Sequence, residues 1–223
     1  MSAWLQSIWS RPSAVLLAVQ LIGVLLYPFM TDSPVGEGLL SLFTLVVLVL
    51  AVRTLRATPA WSWVALLLGV PVFALTILEA VQPTNQTIAL WSAVLHAVFY
   101  FYTSIGLLIY LFRDREVTTD ELFAVGATFT VVAWAFAYVF AAVQIIWPGS
   151  FTAAVAPDEP RTWMELLFLS FTTLTSTGLS DVLPIRPQAR SVVMIEQVAG
   201  LMYVALVISR VVGLTLYGKR TQP

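Results

Sequence analysis

Long apolar runs separated by short polar breaks dominate the chain. A bilayer-crossing helix needs about 20 mostly apolar residues, and six stretches meet that length: roughly 13–30, 38–56, 60–80, 87–112, 121–147 and 189–216. The intervals carry turn and polar chemistry: TDSPVGEG after the first, RTLRATP after the second, QPTNQ after the third and RDREVTTDE after the fourth. The pattern predicts an all-α membrane protein with six transmembrane helices. Thr119 is the expected N-cap of the fifth.

The interval between the fifth and sixth spans is different. It opens with WPGSFTAAVAPDEP, continues through a 14-residue apolar run from Thr162 to Thr175, and ends in the polar stretch STGLSDVLPIRP. The run is too short to cross a bilayer and suits a re-entrant helix. Non-helical backbone at membrane depth is tolerated only where it is buried in protein or lines a cavity. A short helix going in and a polar strand coming out therefore predict a pore loop. The chain holds one such loop and no internal repeat, so a fourfold lining requires four copies.

Composition fits a lipid-covered molecule. Of 223 residues, 59% are hydrophobic and 10% charged, where a soluble domain carries about a quarter charged. Arg11, Arg53, Arg56, Arg113, Arg115, Lys219 and Arg220 fall on one side of a six-span topology, with Arg210 near the same end. Only Arg161, Arg186 and Arg190 fall on the other. The positive-inside rule then puts both termini in the cytoplasm, here across a cell (inner) membrane, with the N-terminal run read as an anchor and not a cleaved signal. With no cysteine, thiolate chemistry and Cys-based metal sites are excluded. One histidine, no HExxH, no phosphate loop and few intramembrane ionisable groups argue against an enzyme or a proton-coupled transporter. No basic stretch suggests nucleic acid, and no organic cofactor is implied. About seven residues follow the last span, which leaves no room for a cytosolic ligand domain.

Phe171 to Pro184, FTTLTSTGLSDVLP, resembles the signature of the potassium-channel superfamily. There a Thr-rich pore-helix end leads into Thr-Val-Gly-Tyr-Gly-Asp, with a Pro three residues after the Asp. Setting Asp181 on the family Asp brings Pro184 onto that Pro, Arg190 onto a basic residue at the start of the inner helix and Ala199-Gly200 onto the hinge pair. The likeness runs over roughly 163 to 216. The wider pattern looks like bacterial six-span proteins with four helices ahead of a two-helix pore module. It implies an N-terminal domain over 1–116 and a pore domain over 117–223. It also implies a homotetramer in the bilayer, and monovalent cations (K+, possibly Na+) as permeating ligands at Ser176, Thr177, Gly178 and Leu179. The expected filter spans Thr175 to Ser180.

Thr-Val-Gly-Tyr-Gly aligns with Ser176-Thr177-Gly178-Leu179-Ser180, and only the first Gly survives. Ser180 in a left-handed conformation costs about 1–2 kcal/mol per subunit, and Leu179 lacks the tyrosine hydroxyl. The departures imply a filter wider or more flexible at its outer end, so potassium selectivity does not follow from the resemblance. A non-selective or sodium-permeable channel and a non-conducting scaffold with a vestigial loop are the alternatives.

Four further residues carry two readings each. Asp181 is a ring of carboxylates at the outer mouth or a local cap or salt bridge to Arg186 or Arg190. Glu196 supports the filter from behind or acts as a protonation switch. Gly200 is a gating hinge or a helix-packing contact. His96 is a sensor or, the commoner case, a buried hydrogen-bonding residue. Some of Tyr203, Val204, Val207 and Val211 must face the axis. The fourth span contains no Arg or Lys, so the first four helices lack voltage-sensing charge.

Overall fold

The computed structural model describes residues 11–29, 34–56, 62–113 and 119–220. Five helices come first: α1 (Pro12–Leu26), followed by a 3-10 turn (Tyr27–Phe29), α2 (Pro34–Arg56), α3 (Ser62–Val81), α4 (Gln86–Arg113) and α5 (Thr119–Ile146). A loop holding β1 (Phe151–Thr152) leads to the short helix α6 (Trp163–Leu174). Then come β2 (Leu183–Pro184) and the long α7 (Pro187–Arg220).

Four helical stretches among the described residues are long and apolar enough to cross a membrane: Trp63–Val81, Gln86–Phe112, Asp120–Ile146 and Pro187–Arg210. The first apolar run is shorter as a helix than the sequence pattern suggests, while α2 covers the whole of the second. Helix α1 gives way to the 3-10 turn at Tyr27, one residue ahead of Pro28, whose ring and missing N–H oppose continued helix. In α2 the described apolar stretch is Leu42–Thr54. Helix α5 begins at Thr119 itself, so its cap, and the charges at Arg115 and the other terminal Arg and Lys side chains, lie outside the described residues.

Polar contacts set the helix directions. The Ser13 hydroxyl donates to Asp120 at 2.9 Å, so α1 and α5 start at the same end of the bundle. The Thr130 hydroxyl donates to Gln20 Oε1 at 2.7 Å and joins the same two helices at mid-height. The Tyr203 hydroxyl donates to the Val125 carbonyl at 2.6 Å, and Arg210 reaches Glu121 at 3.4 Å, so α7 runs antiparallel to α5 and ends where α5 begins. Trp134, Tyr100, Phe99 and Leu107 fill the core where α4 and α5 meet. Glycine at 126 lets α1 in, because a Cβ there sits 2.7 Å from a Leu17 methyl.

Between α5 and α7 the chain dips into the bundle and returns to the end it left. Helix α6 starts with a full capping box. Glu165 N–H donates to the Thr162 hydroxyl at 3.3 Å, and Thr162 N–H to Glu165 Oε2 at 2.6 Å. Its far end packs on Gly200, well inside α7. The returning chain then pairs β2 with β1, Phe151 opposite Pro184, and the Ile185 N–H donates to the Ser150 carbonyl at 2.8 Å.

Arg161 organises the loop ahead of α6. Its side chain is 2% exposed. Its guanidinium donates to the carbonyls of Val155 (3.2 Å), Glu159 (3.1 Å) and Ala156 and to Glu165 Oε1 (3.2 Å). The Gln144 amide clamps the same residue's backbone, accepting from Arg161 N–H at 2.7 Å and donating to its carbonyl at 2.9 Å. Lysine cannot replace a planar fork that reaches three carbonyls. Arg161→Lys is expected to loosen residues 153–160 by about 1–2 kcal/mol, from carbonyls left without a donor. Amide exchange in that loop should accelerate roughly tenfold, while exchange in α5 should not change.

Candidate functional site

The segment the sequence marks as a filter begins as the end of α6. Thr175 caps the helix with right-handed dihedrals, and Ser176 turns left-handed at φ 59°. Ser176 N–H donates to the Thr173 carbonyl at 3.0 Å and Thr177 N–H to the Thr172 carbonyl at 3.1 Å. Those two bonds are a complete Schellman cap, which needs a left-handed residue at the place Ser176 occupies. Gly178, also left-handed at φ 67°, adds a third bond, its N–H to the same Thr172 oxygen at 3.1 Å.

This has a direct consequence for the carbonyls. In a trans peptide C=O points opposite to N–H. The N–H groups of Thr177 and Gly178 both aim back at Thr172, so the Ser176 and Thr177 carbonyls both aim away from α6. Successive N–H groups gathered on one side form a nest, and the nest leaves successive oxygens on the other. The side chains of Thr175, Ser176, Thr177 and Leu179 are exposed, Leu179 at 80%. The Thr177 hydroxyl donates to Thr172 O at 3.2 Å and that of Thr175 to Phe171 O at 2.7 Å, and the two hydroxyl oxygens lie 2.9 Å apart.

The outer half behaves otherwise. The left-handed non-glycine residue of this segment is Ser176, and Ser180 stays out of the left-handed region that is costly for a serine. Ser180 N–H turns back onto the Gly178 carbonyl at 3.1 Å, and the Ser180 hydroxyl accepts from Val182 N–H at 3.1 Å. The regular run of outward oxygens therefore stops at Thr177. Asp181 is exposed, and no salt bridge joins it to Arg186 or Arg190 among the described residues. Arg190 donates to the Pro184 carbonyl at 3.2 Å instead, so the salt-bridge reading of Asp181 does not hold.

Behind the filter, Glu196 is fully buried. One carboxyl oxygen meets the Ser170 hydroxyl, which also lies 2.8 Å from the Ala133 carbonyl; the second carboxyl oxygen has no protein partner. A hydroxyl has one proton to give, and the Ala133 carbonyl can only accept. Both contacts are hydrogen bonds together only when the carboxyl brings a proton of its own. The triad ties α7, α6 and α5 to one another. Gly200 lies one turn further along α7. A Cβ there would stand 2.1 Å from the Leu174 carbonyl oxygen, so the glycine is required for close packing whether or not α7 bends at it. Tyr203 packs on Phe129 of α5, with ring centroids 5.8 Å apart.

His96 is buried. Its Nδ1 is 2.8 Å from the Ser92 carbonyl, its Nε2 3.3 Å from the Thr76 hydroxyl, and its ring stacks on Tyr138 at 4.4 Å. It is a satisfied core histidine. The sequence reading missed Thr172, Ser170, Gln144 and the staple at Arg161. The Arg-Thr-x-x-Glu spacing before the apolar run was the signal available for the last.

Residues 126–216 match the family model described as an ion channel, the two-helix potassium-channel-like domain. No curated protein and no solved structure matches the chain.

Gly200→Ala is expected to destabilise the fold by about 1–3 kcal/mol, because the atom it meets is backbone and cannot swing aside. Glu196→Ala leaves Ser170 bonded to the Ala133 carbonyl but opens a buried void, with a loss of similar size. Glu196→Gln keeps a donor toward Ser170 and should stay within about 1 kcal/mol of the parent. Thermal melts of the purified protein in detergent check all three.

Proposed function

We propose that this member of the potassium-channel superfamily conducts monovalent cations through a pore that four copies of the chain build around the 176–180 segment. The observation that carries the reading is the pair of outward carbonyls at Ser176 and Thr177. A filter replaces an ion's hydration shell with rings of backbone oxygens, and fourfold repetition turns each outward carbonyl into a ring. The Thr177 and Thr175 hydroxyls give their protons inward and keep lone pairs for an ion. Asp181, exposed just beyond, supplies a ring of carboxylates that concentrates cations at the mouth.

Several features support the assembly and its orientation. Helix α7 leaves Met194, Ile195, Val198, Leu201, Met202 and Leu206 exposed in one chain, an apolar surface for neighbouring copies and lipid. The α6 excursion, in and back at one end of the bundle, is read as a re-entrant pore helix between a fifth and a sixth span. With α1 and α5 starting at the end where α7 finishes, both termini are assigned to the cytoplasm of a cell (inner) membrane. Residues 1–116 form a domain without voltage-sensing arginines and 117–223 the pore. Glu196 serves as filter support, and Gly200 allows the inner helix to lie against the pore helix.

Outward oxygens end at Thr177, and Gly178 O accepts from Ser180 N–H, so the inner part of the filter is the only part built for close coordination. Discrimination between potassium and sodium is therefore weak. Reconstituted protein should pass both ions, with a bi-ionic reversal potential near zero. Gly178→Ala is a clean probe, because a Cβ at that site meets no atom within 4 Å; its cost is purely conformational, about 1–2 kcal/mol per subunit. Flux should fall sharply in the variant while the tetramer persists. A monomer or dimer without flux would make the loop a vestigial scaffold and overturn the proposal, as would unchanged flux and unchanged ion preference in Gly178→Ala.

A further inference from the structure

A cavity of about 700 Å3 lies between the N-terminal helices and the start of α6, within the range of small-molecule sites. Its walls include four aromatic side chains: Tyr27 from the end of α1, Trp134 and Tyr138 from α5, and Trp163, the first residue of α6. Trp134, Tyr138 and Trp163 pack on one another. Trp134 and Trp163 meet edge to face at 5.2 Å, and Tyr138 lies 5.4 Å from Trp163 and 4.4 Å from the His96 ring at the cavity floor. The mouth is at the exposed residues Ala80 and Pro83, beside the turn that joins α3 to α4.

Two features say what this space would hold. Among its lining residues the single formally charged side chain is Glu79, half-buried, and no Lys or Arg lines the cavity to answer it. Carboxylate and ring faces together attract a positive group, because the faces of Trp and Tyr carry negative potential that strengthens on desolvation. The second feature is a buried donor without an acceptor. Trp134 is 2% exposed, and its indole N–H has no protein partner; the Trp163 N–H has none either. A buried donor left unpaired costs free energy that an acceptor recovers.

We propose that this cavity is a binding site for an organic ammonium compound that also carries an acceptor oxygen. The ammonium sits against Glu79 and the aromatic faces, and the oxygen takes an indole N–H once the ligand displaces the groups that bury it. That chemistry is shared by the ethanolamine headgroup of a phospholipid and by a free amino ether or amino alcohol. The site does not depend on ion conduction, so binding and flux stand or fall separately.

The test uses the full chain and a matched pair of probes. In detergent, 2-phenoxyethylamine should change tryptophan fluorescence saturably and raise the melting temperature. Neutral 2-phenoxyethanol, with the same ring and ether oxygen, should bind about tenfold more weakly or less. Glu79→Gln should erase that preference and Glu79→Asp should retain it. Equal affinity of the unaltered protein for amine and alcohol overturns the proposal without recourse to any variant, and so does a preference that survives in Glu79→Gln. Nanodiscs separate the sources. If phosphatidylethanolamine discs weaken amine binding severalfold relative to phosphatidylglycerol discs, the natural occupant is the lipid headgroup. If the two disc types give the same affinity, it is a free amine.

Discussion

The inner half of the 175–180 segment hangs on one oxygen atom, the carbonyl of Thr172. It accepts from Thr177 N–H and Gly178 N–H, both at 3.1 Å, and from the hydroxyls of Thr177 at 3.2 Å and Thr175 at 3.3 Å. A carbonyl in the last turn of a helix has no intrahelical partner. Thr172 is buried, so the chain itself supplies the donors. It does so by folding the next residues back as a Schellman cap, and the same act turns the following carbonyls outward. The feature that makes a candidate ion ligand is thus a by-product of ending a helix without leaving its last carbonyls bare. The position of that oxygen is fixed in turn by Gly200, whose missing side chain lets Leu174 lie directly on α7.

Much of this arrangement was legible in the sequence. The lengths of the apolar runs, the short run between polar flanks and the agreement of Gly178, Asp181, Pro184 and Gly200 at fixed spacing all come from patterns that a single chain carries. Gly178 does take positive φ, as its place in the pattern requires. What was not legible is the identity of the strained partner. Alignment points to Ser180, where the family has glycine; the structure puts the left-handed residue at Ser176, because a helix cap, not a filter register, dictates it. The burial of Glu196 followed from its depth, but its partner Ser170 did not, since contacts between α6 and α7 depend on how the two helices cross. The inner-helix spacing left open which of Tyr203, Val204, Val207 and Val211 turns where, and the Tyr203 hydroxyl goes to the Val125 carbonyl.

Helices in an apolar solvent gain little from hiding apolar side chains, so they associate by close packing and polar links. This chain uses both. Glycines at 126 and 200 admit a Leu17 side chain and a backbone carbonyl respectively. The pairs Ser13–Asp120, Gln20–Thr130 and Glu121–Arg210 join helices distant in sequence. Each such link also fixes rotation about the helix axis. That fixed rotation keeps Glu196 facing Ser170, and with it α6 at a constant height against α7.

The outer end of the filter is held by different means. In a pore of this superfamily a tyrosine at the place of Leu179 would tether the strand sideways through its hydroxyl. Here the strand is tied further along: β2 pairs with β1, Ile185 bonds to Ser150, and Arg190 holds the Pro184 carbonyl. Those anchors belong to the loop that Arg161 organises, so the rigidity of the mouth is borrowed from residues 147–162. Between the last bond to Thr172, at Gly178, and the first bond to that loop, residues 179–182 are held by the Ser180 turn and by Val182, which is fully buried in the apolar cluster of Phe140, Phe151 and Leu166.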